Sequence, residues 1–116
     1  MIDPEISTGH GQEVRRGSVV VASLLMLRTP GYGYGLLEAL ANAGIAVDAN
    51  TLYPLLRRLE KQGLLTSEWN TDEARPRKFY RTSTAGGELA ALLLDEWIAL
   101  GRSLQAIDSL TEGDAR

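Results

Sequence analysis

Residues 50–82, NTLYPLLRRLEKQGLLTSEWNTDEARPRKFYRT, decide how this chain folds, because the hydrophobic period changes inside them. Leu52, Leu55, Leu56 and Leu59 recur at intervals of three and four, the spacing that buries one face of a helix. Arg57, Arg58 and Lys61 fall mostly off that stripe, toward solvent or a partner. Asn50 or Thr51 is the expected N-cap, since Pro54 is comfortable only in a first turn, and Gly63 is the expected stop. Beyond Gly63 the period drops to two. LTSEW at 65–69 alternates, KFYRT at 78–82 is rich in strand formers, and the polar segment between them contains Pro76. The spacing predicts a short basic helix followed at once by a two-stranded wing.

Toward the N-terminus, residues 14–28 become apolar nearly all round from Val19, which predicts a buried helix ended by TPG at 29–31. Residues 1–13 contain Pro4, Gly9 and Gly11 and keep no period, so a mobile arm is expected there. GYGYG at 31–35 lacks the third glycine of a dinucleotide loop and follows no predicted strand. It reads instead as a turn into a second helix over 34–43, with Leu36, Leu37 and Leu40 on its apolar face and Gly44 at its end. Two helices joined by a short link, the second of them basic, make a helix-turn-helix. The predicted fold is mainly α with a small hairpin wing. A winged helix-turn-helix domain spans 14–83, a last helix 84–110 and a tail 111–116.

The net charge of −3 conceals a polarised distribution. Between Thr51 and Arg81 seven cations face four anions, a local +3, and the remainder carries −6. A basic helix beside a basic wing fits a helix set in a DNA groove with the wing on the phosphate backbone. Enzyme chemistry finds little support: His10 is the only histidine, there is no cysteine, and no acid pair stands in a pocket motif. The absence of cysteine also excludes disulfides and thiolate zinc sites. The longest mainly apolar run, residues 19–27, is about half of a membrane span, and the first residues lack the basic-then-apolar order of a secretory signal. A cytoplasmic protein with no cofactor is the expectation. A winged helix that contacts only other proteins is the rival reading, and it leaves the clustered cations unexplained.

The last helix is expected to begin at Ser83 or Thr84. Leu89, Leu93, Trp97, Leu100, Leu104 and Ile107 lie along it at spacings of three and four, a stripe fitted to helix-on-helix packing. So small a domain has little to cover so long a stripe. The expected partner is the same helix of a second subunit, in a two-fold dimer; folding back on the chain's own first helix is the alternative.

These pieces resemble the PadR family of transcriptional regulators. GYG at 33–35, NTLYPLLRRLE at 50–60, GLL at 63–65, RPRKFYR at 75–81 and TAG at 84–86 match in order and separation, over about residues 16–108. The sequence differs from the family pattern at Ala74, where glycine is frequent, and at RTST, 81–84, where an apolar and an acidic residue are usual. The resemblance implies a winged-helix dimer that represses transcription from a double-stranded DNA operator and is released by a small effector. It also implies dimerisation through the last helix, and in some members of the short branch, planar aromatic compounds held between tryptophans at the dimer centre.

Candidate DNA contacts are Asn50, Thr51 and Tyr53 at the start of the basic helix, and Arg57 and Arg58 further along it. Tyr34 resembles a phosphate-contacting tyrosine of the family. Arg75, Arg77 and Lys78 are expected on the DNA backbone or in its minor groove, with Trp69 and Tyr80 anchoring the wing. Trp97 is either a dimer-core residue or one half of a stacking platform for an aromatic effector. Asp95 and Glu96 beside it either favour a cationic compound or face water.

Overall fold

The computed structural model describes residues 1–72 and 74–112. Among them the order is α1 (Pro4–Met26), β1 (Gly31–Tyr32), α2 (Gly33–Asn42), α3 (Ala49–Lys61), β2 (Leu65–Asn70), β3 (Arg77–Thr82) and α4 (Thr84–Glu112). The leucine stripe of α3 closes inward with Leu24, Leu36, Leu40, Leu65 and Tyr80, as its three-and-four spacing requires. Leu24, Leu40, Leu52, Leu56, Leu59 and Leu65 lie deepest. Gly44 and Gly63, at φ +88° and +78°, end the second and third helices as the sequence predicts.

Several expectations are corrected. Residues 1–13 are not an irregular arm: α1 already starts at Pro4, with Asp3 Oδ1 accepting the Glu5 amide at 2.8 Å. Asp-Pro-Glu is a complete helix start, with an acceptor at the cap, proline in the first turn and an acid behind it. The cap of α3 is Asp48, whose Oδ1 accepts the Thr51 amide at 2.8 Å, so Asn50 and Thr51 lie within the first turn. Pro54 therefore sits in the second turn, where it offers no amide to the Asn50 carbonyl. The hairpin is also not alone. β1 adds to β3, giving a three-stranded antiparallel sheet in the order β1-β3-β2. A two-residue strand is too short to show a period and depends on its partner for pairing.

The polar strand exit at 81–84 has a role in the packing. The Thr82 amide and hydroxyl donate to the carbonyls of Leu27 and Leu24, at 2.8 and 2.6 Å, tying β3 to the end of α1. The Ser83 hydroxyl donates to the Gly63 carbonyl at 2.6 Å and accepts the Gly86 amide at 3.0 Å, capping α4. Gly86 is fixed by close approach, because a Cβ there would overlap the Leu64 carbonyl oxygen. α4 continues through residues 111–112, expected as tail; the rest of that tail, 113–116, lies outside the described residues.

Near the sheet α1 ends where α4 begins, and further out Gly17 faces Trp97, so the two helices run antiparallel. The 29 residues of α4 make a rod about 44 Å long. The radius of gyration is 17.6 Å, against about 13 Å for a compact chain of this length.

Candidate nucleic-acid interface

Asn50, Pro54, Arg57 and Lys61, spaced four, three and four, form the ridge of α3 opposite its leucine face, and all four are exposed. Thr51 and Arg58 flank that ridge and are exposed as well. Tyr53 lies on the other flank, half-buried, with its ring against Gly33 so closely that a Cβ at residue 33 would overlap it. Packing at the start of α2 thus claims much of this side chain. Tyr34, in the first turn of α2, is 64% exposed. Lys61, placed off the leucine stripe by its spacing, joins this ridge although it is not among the candidate DNA contacts drawn from the sequence.

The wing is a regular ladder in which Leu65 pairs with Thr82, Ser67 with Tyr80, Trp69 with Lys78 and Asn70 with Arg77. Strand alternation puts Ser67, Trp69, Lys78 and Tyr80 on one face and Asn70, Arg77, Phe79 and Arg81 on the other. The first face meets α3. Lys78 Nζ donates to Glu60 Oε1 at 2.9 Å and the Ser67 hydroxyl donates to Glu60 Oε2. The Ser67 hydrogen bond first, and the Lys78 ammonium second, hold the Glu60 carboxyl below its ordinary range. In return, the hydrogen bond to Glu60 holds the Lys78 ammonium above its ordinary range. Lys78 is thus engaged as a clamp between β3 and α3.

Tyr80 is buried and anchors the wing as expected, but Trp69 is not: it is 63% exposed. On the outer face the Arg77 guanidinium lies 4.0 Å from the centre of the Tyr32 ring, and Phe79 meets that ring edge-on at 6.0 Å. Asn70 Nδ2 donates to the Tyr32 hydroxyl at 2.8 Å. Arg75 is exposed in the wing loop. Ridge and wing together present Arg57, Arg58, Lys61, Arg75 and Arg77, the charge pattern of a phosphate-binding surface.

The α4 stripe divides in two. Leu89 packs on the core, Leu93 and Trp97 are half-buried, and Trp97 covers Gly17 of α1, where a Cβ would meet its ring at 3.2 Å. Further along, Leu100, Leu104 and Ile107 are exposed, as are Leu92, Leu94, Ile98 and Leu110. Among the described residues, no helix is long and apolar enough to cross a membrane.

Residues 23–91, which run from the end of α1 through the wing to the start of α4, match the model of the transcriptional regulator PadR-like family. The crystal structure of a PadR-family transcriptional regulator from Eggerthella lenta superposes with a TM-score of 0.85 at 44% identity, over 89% of this chain and 92% of that one. A PadR-like transcription factor from Bacteroides fragilis is 30% identical with a TM-score of 0.69, over 85% and 98%. The transcriptional regulator Rv3488 of Mycobacterium tuberculosis is 44% identical over 55 residues, 47% of this chain and about half, 51%, of that protein. The winged helix with its exposed cations, the family match and the likeness along the chain agree: the protein belongs to the PadR-like family of transcriptional regulators, which are DNA-binding and non-enzymatic.

Proposed function

We propose that the chain acts as a homodimeric repressor that occupies an operator and is released by a small planar compound. The observation that carries the DNA contact is the exposed ridge of α3, with Asn50, Arg57 and Lys61 opposite the buried leucines and Thr51 and Arg58 beside it. Arg75 and Arg77 of the wing and Tyr34 of α2 add backbone contacts, Tyr53 supports the start of α3, and Lys78 holds the wing in place. In this division residues 14–83 read the DNA. The last helix, over residues 84–110, joins two copies through Leu100, Leu104 and Ile107, while Leu89, Leu93 and Trp97 start the stripe inside each chain. Trp97 borders the apolar surface that two copies would close, which supports an aromatic effector seated there. A winged helix devoted to protein contacts has no use for a basic ridge and a basic wing together.

The test is binding to the DNA upstream of its own gene at two salt concentrations, wild type beside Arg57→Ala. Salt-sensitive binding that the variant weakens supports the reading, since each lost phosphate contact flattens the salt dependence. No binding by folded wild type, on upstream or genomic fragments, defeats it.

A further inference from the structure

Glu60 is an anion among cations. Arg57, Arg58 and Lys61 stand within three residues of it on α3, and a carboxylate beside them repels the phosphates that they attract. Its side chain keeps 31% exposure, so the core does not claim it. What it holds is the wing. Oε2 accepts the hydroxyl of Ser67 on β2, and Oε1 accepts the ammonium of Lys78 on β3 at 2.9 Å. Ser67 and Lys78 are diagonal neighbours on one face of the ladder, because Ser67 pairs with Tyr80 and Lys78 with Trp69. One carboxylate in the last turn of α3 therefore grips both strands of the wing. The loop that carries Arg75 begins after Asn70, about 10 Å beyond Ser67 along β2, so a tilt at the grip is magnified at the loop.

We infer that Glu60 is a positioning residue for DNA binding: by gripping Ser67 and Lys78 it fixes the angle between the wing and α3, so that the Arg75 loop and the α3 ridge meet one duplex together. The inference rests on the DNA reading above. A wing free to swing loses that freedom when its loop meets a phosphate, which lowers affinity, whereas a wing already held has little left to lose. Removing the carboxylate has two opposed effects. Charge alone tightens binding, since an anion leaves the basic face and Lys78 is released. Loss of position weakens binding and uncouples the Arg75 contact from the ridge.

The experiment is a double-mutant cycle of Glu60→Ala and Arg75→Ala on the full chain, well below the unfolding temperature of each variant. The probe is a duplex of arbitrary sequence across several salt concentrations, because phosphate contacts are sequence-independent. Glu60→Ala is expected to weaken binding about twofold to fivefold, the range that a partly exposed ion pair can supply. It should also flatten the salt dependence, which loss of an anion alone does not do. Arg75→Ala should weaken the wild type about threefold to tenfold, yet cost less than about twofold beside Glu60→Ala. Glu68→Ala removes an exposed anion from β2, on the face away from the grip, and should not weaken binding. Tighter binding by Glu60→Ala, an equal Arg75→Ala cost in both backgrounds, or no such cost in either overturns the inference and leaves the DNA reading standing. So does a Glu68→Ala loss as large as that of Glu60→Ala. Failure of the folded wild type to bind any duplex defeats the DNA reading instead.

Discussion

α3 and the outer half of α4 are both leucine-rich helices, and they treat their leucines in opposite ways. In α3 the four leucines are at most 8% exposed and the cations face outward. Past Trp97, α4 leaves Ile98, Leu100, Leu104, Ile107 and Leu110 at 47–78% exposure. The difference lies in what each helix has beside it. α3 is surrounded by α1, α2 and the sheet, so its apolar face is filled from within the chain. Among the described residues, the outer part of α4 has only α1 for a neighbour. In the proposed two-fold dimer the molecule that covers this exposed surface is another copy.

The sharpest way to break this comparison is to truncate one leucine in each helix. Leu56→Ala, in a fully buried site, should cost about 2–5 kcal/mol in urea unfolding. Leu104→Ala should leave the stability of the isolated chain nearly unchanged, and equal losses in dilute protein would erase the distinction. Charge sharpens the contrast. Leu104→Glu should weaken self-association at least tenfold in sedimentation experiments, since a buried leucine contributes about 1.5–3 kcal/mol. A sedimentation profile identical to wild type would mean that the exposed stripe is not the joint.

The cationic side of α3 is tested by Arg57→Ala, with an expected loss of about 1–3 kcal/mol in DNA affinity and a salt slope smaller by about one. Its self-association should be unaffected. The clamp between α3 and the wing gives the smallest effect, at most about 1 kcal/mol, because the Lys78 and Glu60 side chains keep 29% and 31% exposure. The Glu60 carboxyl is held low, so its contribution is complete above the unfolded carboxylate value of about 4.3 and is lost as pH falls through the lower folded value. The Lys78 ammonium is held high, so its contribution is complete below about 10.4 and is lost as pH rises through the higher folded value. Glu60→Gln should therefore flatten the acid limb of the stability curve. An unchanged limb would show that the pair contributes nothing measurable.

The helical part of the reading unit was legible in sequence because its signals are local. Leucine spacing, Gly44, Gly63 and the change of period at residue 64 each fix an element without reference to the rest of the chain. What escaped was set by partners distant in sequence. β1 exists because Gly31 and Tyr32 pair with Tyr80 and Phe79, some fifty residues away. Lys78 reads along the sequence as one more wing cation, and its partner Glu60 lies 18 residues away. Trp69 reads as an anchor because strand aromatics usually pack, yet it stands exposed on the wing. The start of α1 was a different matter: Asp3, Pro4 and Glu5 carried the signal, and the glycines at 9 and 11 obscured it.

By itself the sequence determined the winged-helix class, the basic ridge and the family, because period, charge placement and turn residues act over a few residues at a time. Tertiary structure alone decided which side chains are left for a partner. Arg77 lies on Tyr32, Lys78 is tied to Glu60, Tyr53 rests on Gly33, and the α4 stripe divides at Trp97. Each of these depends on distance in space between residues far apart along the chain, and a pattern read along the chain carries no measure of that distance.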